Sequence, residues 1–370
     1  MRLLLVNENI GGHQTVHLHL ERALRQVPDL KADFIHVPPP GRARRLVGAR
    51  VPPLDVLDLD LKPLRDQLAL SALVRQRMRE RRHRYDALYV YTHNAALLSA
   101  DFLRAQPSVV GLDTTNAQNA YRLPYRHPTR FTARVLPLTQ VFERRVYRAA
   151  TLVMPHSEWA AASVREDYGV EPDKIRIVPV GLTDPVLDGP EPPPVALPRV
   201  IFVGRSLERK GGNLLLRLHR EHLVGRCVLT LVTPERVAAH EGVEVVNDIR
   251  PGDGRLWSLL RSSRMFVFPS AIDMFPNAVL EAMAAGVPVI AARAGAVPEI
   301  VPDGEAGILA SPGDGAAFLS AIESLLVDPE RARRLGAAGR RRFEQFYDIR
   351  VVAPRILAVV REAIERHRPA

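Results

Sequence analysis

The sequence predicts two α/β domains, each with a doubly wound parallel sheet of the Rossmann type. The chain has 370 residues, 46% apolar and 25% charged, a globular composition long enough for two domains. Short apolar runs alternate with longer helical patterns through both halves, as in βαβ units. Between the halves, the proline cluster 188–194 cannot continue a helix or a central strand. We therefore expect a first domain over 1–188, a hinge over 189–198, a second domain over 199–346 and a final helix over 347–370.

The strand-like runs consist of nearly unbroken apolar residues, which is typical of parallel strands buried on both faces. The first half contains Arg2–Val6, Ala32–Val37, Asp86–Tyr91, Ser108–Leu112, Thr151–Pro155 and Ile175–Val180. The second half contains Arg199–Val203, Cys227–Val232, Val243–Val246, Met265–Phe268, Val287–Ala291 and Ile308–Ala310. No G-x-G-x-x-G fingerprint follows the first strand, which argues against a dehydrogenase.

Positive charge is concentrated in the first half of the chain. Residues 1–150 hold 24 basic and 13 acidic side chains, a net charge of +11, whereas the remainder holds 27 basic and 28 acidic ones. We therefore predict peripheral contact of the first domain with an anionic membrane. The arginine-rich helical pattern over 74–84 is the candidate surface, and a plain solvated face is the alternative. Aromatic residues make up only 6% of the chain, so no nucleic acid is expected as a partner.

The remaining general features point to the cytoplasm. A single cysteine, Cys227, excludes an internal disulfide framework and a multi-cysteine zinc site. The first apolar run is interrupted at Asn7 and Glu8, too early for a signal peptide or a membrane-spanning helix. A proline-rich and basic stretch, 38–45, is expected to form an exposed loop. We expect a cytoplasmic protein that lies peripherally at the inner face of a membrane where it contacts lipid.

The segment 266–290 has the order strand, loop, helix, strand. The loop carries Asp273, and Asn277 is placed to cap the helix. Backbone N–H groups and the helix dipole at that helix start form an anion site. A carboxylate accepts hydrogen bonds from two neighbouring hydroxyls, so Glu281 suits the ribose of a nucleotide and Asp273 suits a second sugar. The alternative is that both are ordinary loop and helix carboxylates. The predicted donor-binding residues of this segment are Asp273, Phe275, Pro276, Asn277 and Glu281.

A second cluster, 202–212, has a layout that can hold phosphate. A strand ends at Gly204, and Arg205 and Lys210 follow in a loop that we expect to be flexible. Glycine lets the backbone approach a ligand closely, arginine forks onto phosphate oxygens, and lysine supplies a point charge. Gly204, Arg205 and Lys210 are therefore predicted to bind a diphosphate.

Polar residues also follow strands of the first half. Gly12 and His13 come after the first strand, His93 and Asn94 after the third, and Asp113 after the fourth. Open α/β sheets bind ligands at the carboxyl ends of their strands, so these residues are predicted to line one crevice. His13 and Asp113 also fit a plain helix start and a helix cap or turn, and these alternatives stay open.

The second half resembles the retaining glycosyltransferases of family 4, which have the GT-B fold. The similarity rests on the carboxylate-x7-Glu spacing of Asp273 and Glu281. It continues through Gly286–Ile290, Gly295–Glu299 and Asp303–Gly307. The resemblance implies two Rossmann-like domains that face a central cleft, with the last helix crossing back to the first domain. The family usually has Glu at the first motif position, whereas this chain has Asp273.

The resemblance also implies roles for the candidate residues. Arg205 and Lys210 would hold the donor pyrophosphate and stabilise the leaving group, and Gly12 would close over the diphosphate. Asp113 would lie beside the reacting sugar, with His13, His93 and Asn94 on the acceptor side. The predicted catalytic residues are Asp113, Arg205, Lys210 and Asp273. Enzymes of this fold generally use no bound metal, and no cofactor is expected beside the nucleotide-diphosphate sugar that serves as donor.

The expected activity is retaining transfer of a sugar from a nucleotide-diphosphate sugar to a glycan, lipid-linked or small-molecule acceptor. One alternative is a sugar-nucleotide epimerase or a phosphorylase on the same fold. Another is a non-catalytic basic protein whose first half holds a membrane or a nucleic acid.

Overall fold

The computed structural model describes residues 1–8, 12–38, 60–81, 85–122, 128–183, 196–250 and 253–367. Most of the predicted hinge at 189–198 and most of the predicted loop at 38–45 lie outside these ranges. The chain divides into two compact units. The first comprises Met1–Arg122, Arg126–Gly181 and Val352–Ala370, and the second comprises Leu123–Tyr125 and Leu182–Val351.

The first unit contains a parallel sheet whose described strands have the order β2-β1-β3-β4-β5. The strands are β1 Arg2–Asn7, β2 Lys31–His36, β3 Ala87–Tyr91, β4 Ser108–Leu112 and β5 Leu152–Pro155. Leu5 of β1 lies between Phe34 of β2 and Tyr89 of β3 in the register. All five residues of β3 and of β4 are buried, as expected for strands covered on both faces.

The helices of the first unit alternate with its strands. They are α1 His13–Arg25, α2 Lys62–Arg79, α3 Ala100–Ala105, α4 Asn116–Asn119, α5 Thr132–Ala149 and α6 Glu158–Glu166. Short 3₁₀ turns occupy His93–Ala96 and Pro172–Lys174. Residues 74–79 of the arginine-rich helix predicted over 74–84 belong to α2, which ends at Arg79, and residues 82–84 lie outside the described ranges. The helix begins earlier than predicted because Pro63 fits its first turn and Leu64, Leu70 and Val74 bury one face.

The strand predicted at Ile175–Val180 is wrong. Only Ile175 forms a bridge, with Val153 of β5. The backbone N–H groups of Arg176 and Val178 still donate to Val153 and Pro155 across 3.0 and 3.1 Å. A parallel ladder also needs a bond back from residue 155, and Pro155 has no N–H to donate. The segment therefore runs alongside β5 without completing a ladder.

The second unit contains a parallel sheet whose described strands have the order β11-β10-β9-β6-β7-β8. The strands are β6 Arg199–Val203, β7 Val228–Val232, β8 Val243–Val246, β9 Met265–Phe268, β10 Val289–Ala292 and β11 Gly307–Ala310. The core on one side of this sheet includes Phe202, Val267, Ile290 and Phe318, each fully buried. The predicted fold class of two parallel-sheet α/β domains is confirmed.

The helices from residue 207 onward complete the architecture. They are α7 Leu207–Lys210, α8 Gly212–Leu218, α9 Gly254–Arg261, α10 Asn277–Ala284, α11 Val297–Ile300, α12 Gly315–Val327, α13 Pro329–Phe346 and α14 Ile349–His367. A π-helical turn at His219–Leu223 follows α8. From Val352 onward, α14 belongs to the first unit, where Glu362 pairs with Arg176.

The described residues contain neither a helix suited to span a membrane nor a cluster of metal ligands. None of the helices in these ranges combines the length and apolarity needed to cross a membrane. No group of three or more His, Cys, Asp or Glu side chains in the described ranges is arranged to hold a metal ion.

Candidate functional site

The second unit places two loops side by side at the point where the strand order of its sheet reverses. From β6 the chain moves to β7 and β8 on one side, and β9 through β11 lie on the other. The loops that leave the carboxyl ends of β6 and β9 are therefore neighbours, because these two strands pair. Ligands of open α/β sheets bind at this kind of position. The predicted phosphate cluster at 202–212 and the carboxylate motif at 266–290 meet here.

Glycines allow the two loops to pack closely. Gly211 has φ +80°, and a Cβ there would lie 2.2 Å from the carbonyl oxygen of Pro269. At Gly204, a Cβ would lie 2.7 Å from the Phe202 ring and 3.1 Å from Cβ of Lys210. A larger residue at Gly211 would push the two loops apart, whereas one at Gly204 would clash inside the first loop. Gly211 thus sets how closely the two predicted motifs approach, and Gly204 keeps room beside Lys210.

An ion pair joins the loops. Nζ of Lys210 donates a hydrogen bond to Oδ2 of Asp273. The side chains of Lys210 and Asp273 are only 14% and 8% exposed, so the pair is largely desolvated. The Lys210 ammonium also lies 5.5 Å from the centre of the Phe268 ring. The structure therefore brings together two of the predicted site residues that are 63 positions apart in the sequence.

The loop predicted to carry Lys210 is helical, which corrects the expectation of a flexible segment. Ser206 caps α7 by accepting a hydrogen bond from the backbone N–H of Arg209, and Lys210 is the last residue of that helical turn. The Lys210 side chain thus starts from a fixed backbone. Arg205, by contrast, is exposed, and no carboxylate pairs with it among the residues the structure describes. Arg205 is thus an exposed cation at the edge of the site.

Glu281 lies one turn inside α10. Its side chain is partly buried, and desolvation raises the pKa of its carboxyl to about 7. No protein group in the described ranges donates a hydrogen bond to this carboxylate. A half-buried acceptor with an elevated pKa and no protein donor is suited to hydroxyl groups of a ligand.

The start of α10 differs by one residue from the expectation. Pro276, not Asn277, occupies the cap position, and its buried ring gives no side-chain cap. Asn277 is the first helical residue, and Phe275 packs edge-on against Tyr347 at 6.2 Å between ring centres. The first turn of α10 contains no acidic side chain, so its backbone N–H groups and positive dipole end are not neutralised locally.

The first unit has its own polar cluster at the equivalent point of its sheet. The strand order reverses between β1 and β3, and Glu8 and Thr92 follow these two strands. The backbone N–H of Glu8 donates to the carbonyl oxygen of Tyr91 at 2.8 Å, and the Thr92 hydroxyl donates to the Glu8 carboxylate. Glu8 is 6% exposed, and burial raises its pKa despite the charge of His13. Glu8 was not among the predicted site residues, although its position directly after the first strand is a signal for one.

His13 and Asp113 meet at this edge, as the strand-end argument predicts. Nε2 of His13 lies 3.2 Å from Oδ2 of Asp113, and both side chains are about one-fifth exposed, at 22% and 20%. Burial disfavours both charges, but the hydrogen bond and mutual attraction outweigh it. They raise the pKa of His13 and lower the pKa of Asp113. The helix-cap alternative for Asp113 is not what the structure shows, because Thr115 caps α4.

Aromatic rings pack behind the His13–Asp113 pair. Tyr91, at the end of β3, contacts His13, His17 and His156 with ring centres 4.8–5.1 Å apart. Burial lowers the pKa of His156 and lowers that of His17 strongly, so both rings are neutral near pH 7. Nδ1 of His156 lies 2.7 Å from the carbonyl oxygen of Val178. Sequence analysis did not select His156, even though it directly follows β5.

His93 and Asn94 lie in the 3₁₀ turn after β3 and form a different contact. Nε2 of His93 lies 2.9 Å from Oε1 of Glu143, without hydrogen-bond alignment. Glu143 is fully buried and accepts hydrogen bonds from the Tyr168 hydroxyl and from the Asn116 backbone N–H. The buried amide oxygen of Asn94 has no partner within the part of the chain described. His93 is therefore bound to the protein interior and not to the His13–Asp113 pair.

The predicted residues thus form two groups, one in each unit. The second unit joins Gly204, Lys210 and Asp273, with Arg205 next to them in the chain and Glu281 on α10. The first unit joins His13 to Asp113, and Gly12 is the exposed residue immediately before α1.

Comparison with protein families matches both units. Residues 197–328 match a model described as glycosyl transferases group 1, and residues 11–181 match a glycosyl transferase 4-like domain.

Curated relatives with similar sequences are named as glycosyltransferases. The MMP alpha-(1->4)-mannosyltransferase of Mycolicibacterium hassiacum is 32% identical over 60% of this chain and 57% of its own length. A D-inositol 3-phosphate glycosyltransferase of Streptomyces scabiei is 29% identical over 55% of this chain and 52% of its own length. The chain spans little more than half the length of these relatives.

Solved structures share the fold at low sequence identity. Sucrose-phosphate synthase from Thermosynechococcus elongatus has a TM-score of 0.72 and 20% identity, over 99% of both chains. Anabaena HepE in complex with UDP-glucose has a TM-score of 0.68 and 16% identity, over 98% of this chain and all of the other.

Proposed function

The chain belongs to the group 1 glycosyltransferases, and we propose that it transfers a sugar from a nucleotide-diphosphate sugar to a hydroxyl acceptor with retention of anomeric configuration. The observation that carries the proposal is the loop junction of the second unit. There the Lys210–Asp273 ion pair joins the loops that follow β6 and β9. Arg205, which has no carboxylate partner among the described residues, lies in the first loop, and Glu281 lies on α10, the helix that follows the second.

The donor would be held by three kinds of contact. Arg205 and Lys210 bind the diphosphate, helped by the backbone N–H groups at the start of α10. Gly204 lets the backbone reach the phosphate closely. Glu281 accepts hydrogen bonds from the ribose hydroxyls, and Asp273 accepts them from the transferred sugar. Asp273 is one methylene shorter than the usual Glu, but its carboxylate is held in place by Lys210.

The reaction exchanges one C–O bond at the sugar C1 for another and moves one proton. The bond between the sugar C1 and the oxygen of the leaving phosphate breaks, and the acceptor hydroxyl oxygen bonds to C1 on the same face. The proton of that hydroxyl passes to the leaving phosphate, and the nucleoside diphosphate departs. Negative charge grows on the diphosphate as the bond breaks, so cations already placed there favour the transition state over the bound donor. We propose that these side-chain cations make a further cofactor unnecessary.

The first unit would serve the acceptor. His13 keeps its proton more tightly than a free histidine because Asp113 accepts a hydrogen bond from it. A protonated His13 next to the exposed Gly12 can donate to an acceptor hydroxyl or to an oxygen of the donor phosphate. His93 and Asn94 would support this region from the protein interior, where His93 contacts the buried Glu143. We propose that the enzyme works in the cytoplasm on a glycan, a small molecule or a lipid-linked sugar.

A panel of nucleotide sugars tests the proposal. The protein is incubated with uridine, guanosine and adenosine diphosphate sugars, with and without candidate acceptors, and nucleotide release and product anomers are followed by chromatography and NMR. We expect nucleotide release only when an acceptor is present. The linkage in the product is expected to have the same anomeric configuration as the sugar in the donor. Release without acceptor, or epimerised donor, would indicate the epimerase or phosphorylase alternatives. Undiminished turnover in an Arg205→Ala, Glu281→Ala variant would contradict the assignment of the site.

A further inference from the structure

The outer face of α5 has a regular pattern of cations and exposed aliphatic residues. Arg134, Leu138, Val141, Arg145 and Arg148 follow each other at intervals of four and three residues, so they share one side of the helix. All five are exposed, and Leu138 and Val141 are 53% and 42% accessible to solvent. We call these five residues the α5 stripe. Two aliphatic side chains thus lie in water between arginines.

The charges of the α5 stripe have no neutralising carboxylate among the residues that the structure describes. Between Asp113 and Glu158 the sequence contains seven arginines but a single acidic residue, Glu143. Glu143 is fully buried on the opposite side of α5. Within the described ranges no carboxylate pairs with Arg134, Arg145 or Arg148. Among the described residues, the stripe arginines make one ring contact, that of Arg145 with Phe142 at 5.8 Å.

The arginines of α2, where the sequence suggested a lipid surface, are used differently. Arg75 pairs with Asp101 and also donates to the carbonyl oxygen of Leu98. Arg77 and, just past the helix, Arg81 donate to the carbonyl oxygens of His36 and Phe34. These three arginines therefore join α2 to neighbouring chain segments. On α5, by contrast, the three exposed stripe arginines have no carboxylate partner among the described residues.

We propose that the α5 stripe docks the protein on an anionic lipid bilayer. An interfacial helix combines cations that attract lipid headgroups with apolar side chains that enter the headgroup boundary, and the stripe has both. The proposal does not depend on the transfer reaction assigned above. A second copy of the chain is a poor occupant of this face, because a symmetric contact would place arginines against arginines. Nucleic acid fits less well, since Leu138 and Val141 offer no ring on which a base can stack.

Vesicle sedimentation of the full chain, without nucleotide sugar, tests the proposal. One set of vesicles contains phosphatidylcholine with about one-third phosphatidylglycerol, an anionic fraction chosen to give a clear surface potential. The other set contains phosphatidylcholine alone. The test variant is Arg134→Gln, Arg145→Gln, Arg148→Gln. The matched control is Arg22→Gln, Arg79→Gln, Arg361→Gln, which removes the same charge from exposed positions on α1, α2 and α14. Circular dichroism and thermal melting verify that both variants fold.

The expected result is binding to anionic vesicles that weakens with salt and is absent with neutral vesicles. Each arginine near an anionic surface changes partitioning about fivefold, so the test variant is expected to bind about 100-fold more weakly and the control to bind within about threefold of the wild type. Leu138→Ser, Val141→Ser, which keeps all charges, is expected to lose about tenfold.

Three results would overturn the proposal. The first is equal loss in the test and control variants, or no loss in either, which would leave only a general charge effect or no effect. The second is equal binding of the wild type to both kinds of vesicle, or no binding at all. The third is a stripe variant that keeps vesicle binding but loses binding to a single-stranded RNA or loses a dimer, which would assign the stripe to nucleic acid or to a second copy.

Discussion

Removing the ammonium of Lys210 is expected to damage both the stability of the protein and its reaction. Lys210 pairs with Asp273, whose side chain is only 8% exposed. Lys210→Met keeps most of the side-chain volume but leaves that carboxylate buried without a cation. Breaking a buried ion pair in this way costs about 3 kcal/mol, near the low end of the usual range because the pair is not completely desolvated. In a unit of this size the loss corresponds to a fall in Tm of about 6–12 °C.

The same substitution is expected to slow transfer for a separate reason. In the proposed reaction Lys210 donates to the diphosphate as negative charge grows there. A charge-assisted hydrogen bond worth about 1.5–3 kcal/mol corresponds to a fall in kcat/KM of about 10- to 150-fold. The assay is release of nucleoside diphosphate in the presence of acceptor, with Tm measured by scanning calorimetry on the same samples.

Two further variants separate the effects on stability and on transfer. Adding Asp273→Asn to Lys210→Met removes the orphaned charge, so most of the lost Tm is expected to return while kcat/KM stays low. Arg205→Gln is the matched control, because Arg205 is exposed and has no carboxylate partner in the described ranges. It is expected to lower kcat/KM by a similar factor and to leave Tm within about 2 °C, as for most surface substitutions. A Lys210→Met protein with wild-type Tm, or a double variant with restored kcat/KM, would refute the reasoning.

Four other outcomes follow from the structure. Burial raises the pKa of Glu281 to about 7, so the folded apo protein holds that proton more tightly than the unfolded chain. Its stability should therefore fall as pH rises from about 4.5 through 7. Thermal melting of Glu281→Gln should show a flatter pH profile between pH 5 and 8, and an unchanged profile would count against a desolvated Glu281. The pKa of His13, followed by NMR, should lie above 6.5 and drop in Asp113→Asn; no drop would mean that the pair is not formed in solution. Gly211→Ala should lower stability by about 2 kcal/mol or more, because of its φ of +80° and the close Pro269 carbonyl. Gly169→Ala, with φ +65° and open space around it, should cost only about 1 kcal/mol, and equal losses would show that the loop contact is unimportant. Turnover should be unchanged by a chelator such as EDTA, and its loss would show that a metal ion takes part.

Much of the fold could be predicted because the two sheets are built from local signals. The run Ser108–Leu112 is a strand in the structure with the predicted limits, since a short and mostly apolar run between Pro107 and Asp113 is typical of a covered parallel strand. The error at Ile175–Val180 has a non-local cause. That segment is apolar enough for a strand, but its ladder depends on a backbone donor at position 155, where the chain has a proline.

The parts of the candidate site that could be predicted lie close together in the sequence or directly follow strands of one sheet, as His13 and Asp113 do. Asp273 and Glu281 belong to one strand-loop-helix stretch, so their spacing in the sequence was enough to predict the motif. The Lys210–Asp273 pair spans 63 positions in the sequence. It forms because β6 and β9 are neighbours in the sheet, and no local stretch of the sequence specifies that pairing. Glu8 and Thr92 are 84 positions apart and follow different strands of the first sheet. Glu8 and His156 were visible only as polar residues just after strands.

Binding of nucleotides to the protein, measured without acceptor or turnover, most directly tests the claim that Arg205 and Glu281 hold the donor. Isothermal titration calorimetry compares nucleosides with their diphosphates for the wild type, Arg205→Gln and Glu281→Gln. For the matching base, Arg205→Gln should weaken the diphosphate about 10- to 100-fold and leave the nucleoside unchanged, since Arg205 contacts phosphate alone. Glu281→Gln should weaken both, because both contain the ribose. Absence of diphosphate binding by the wild type, or equal affinities in all three proteins, would contradict the claim that these residues hold the donor.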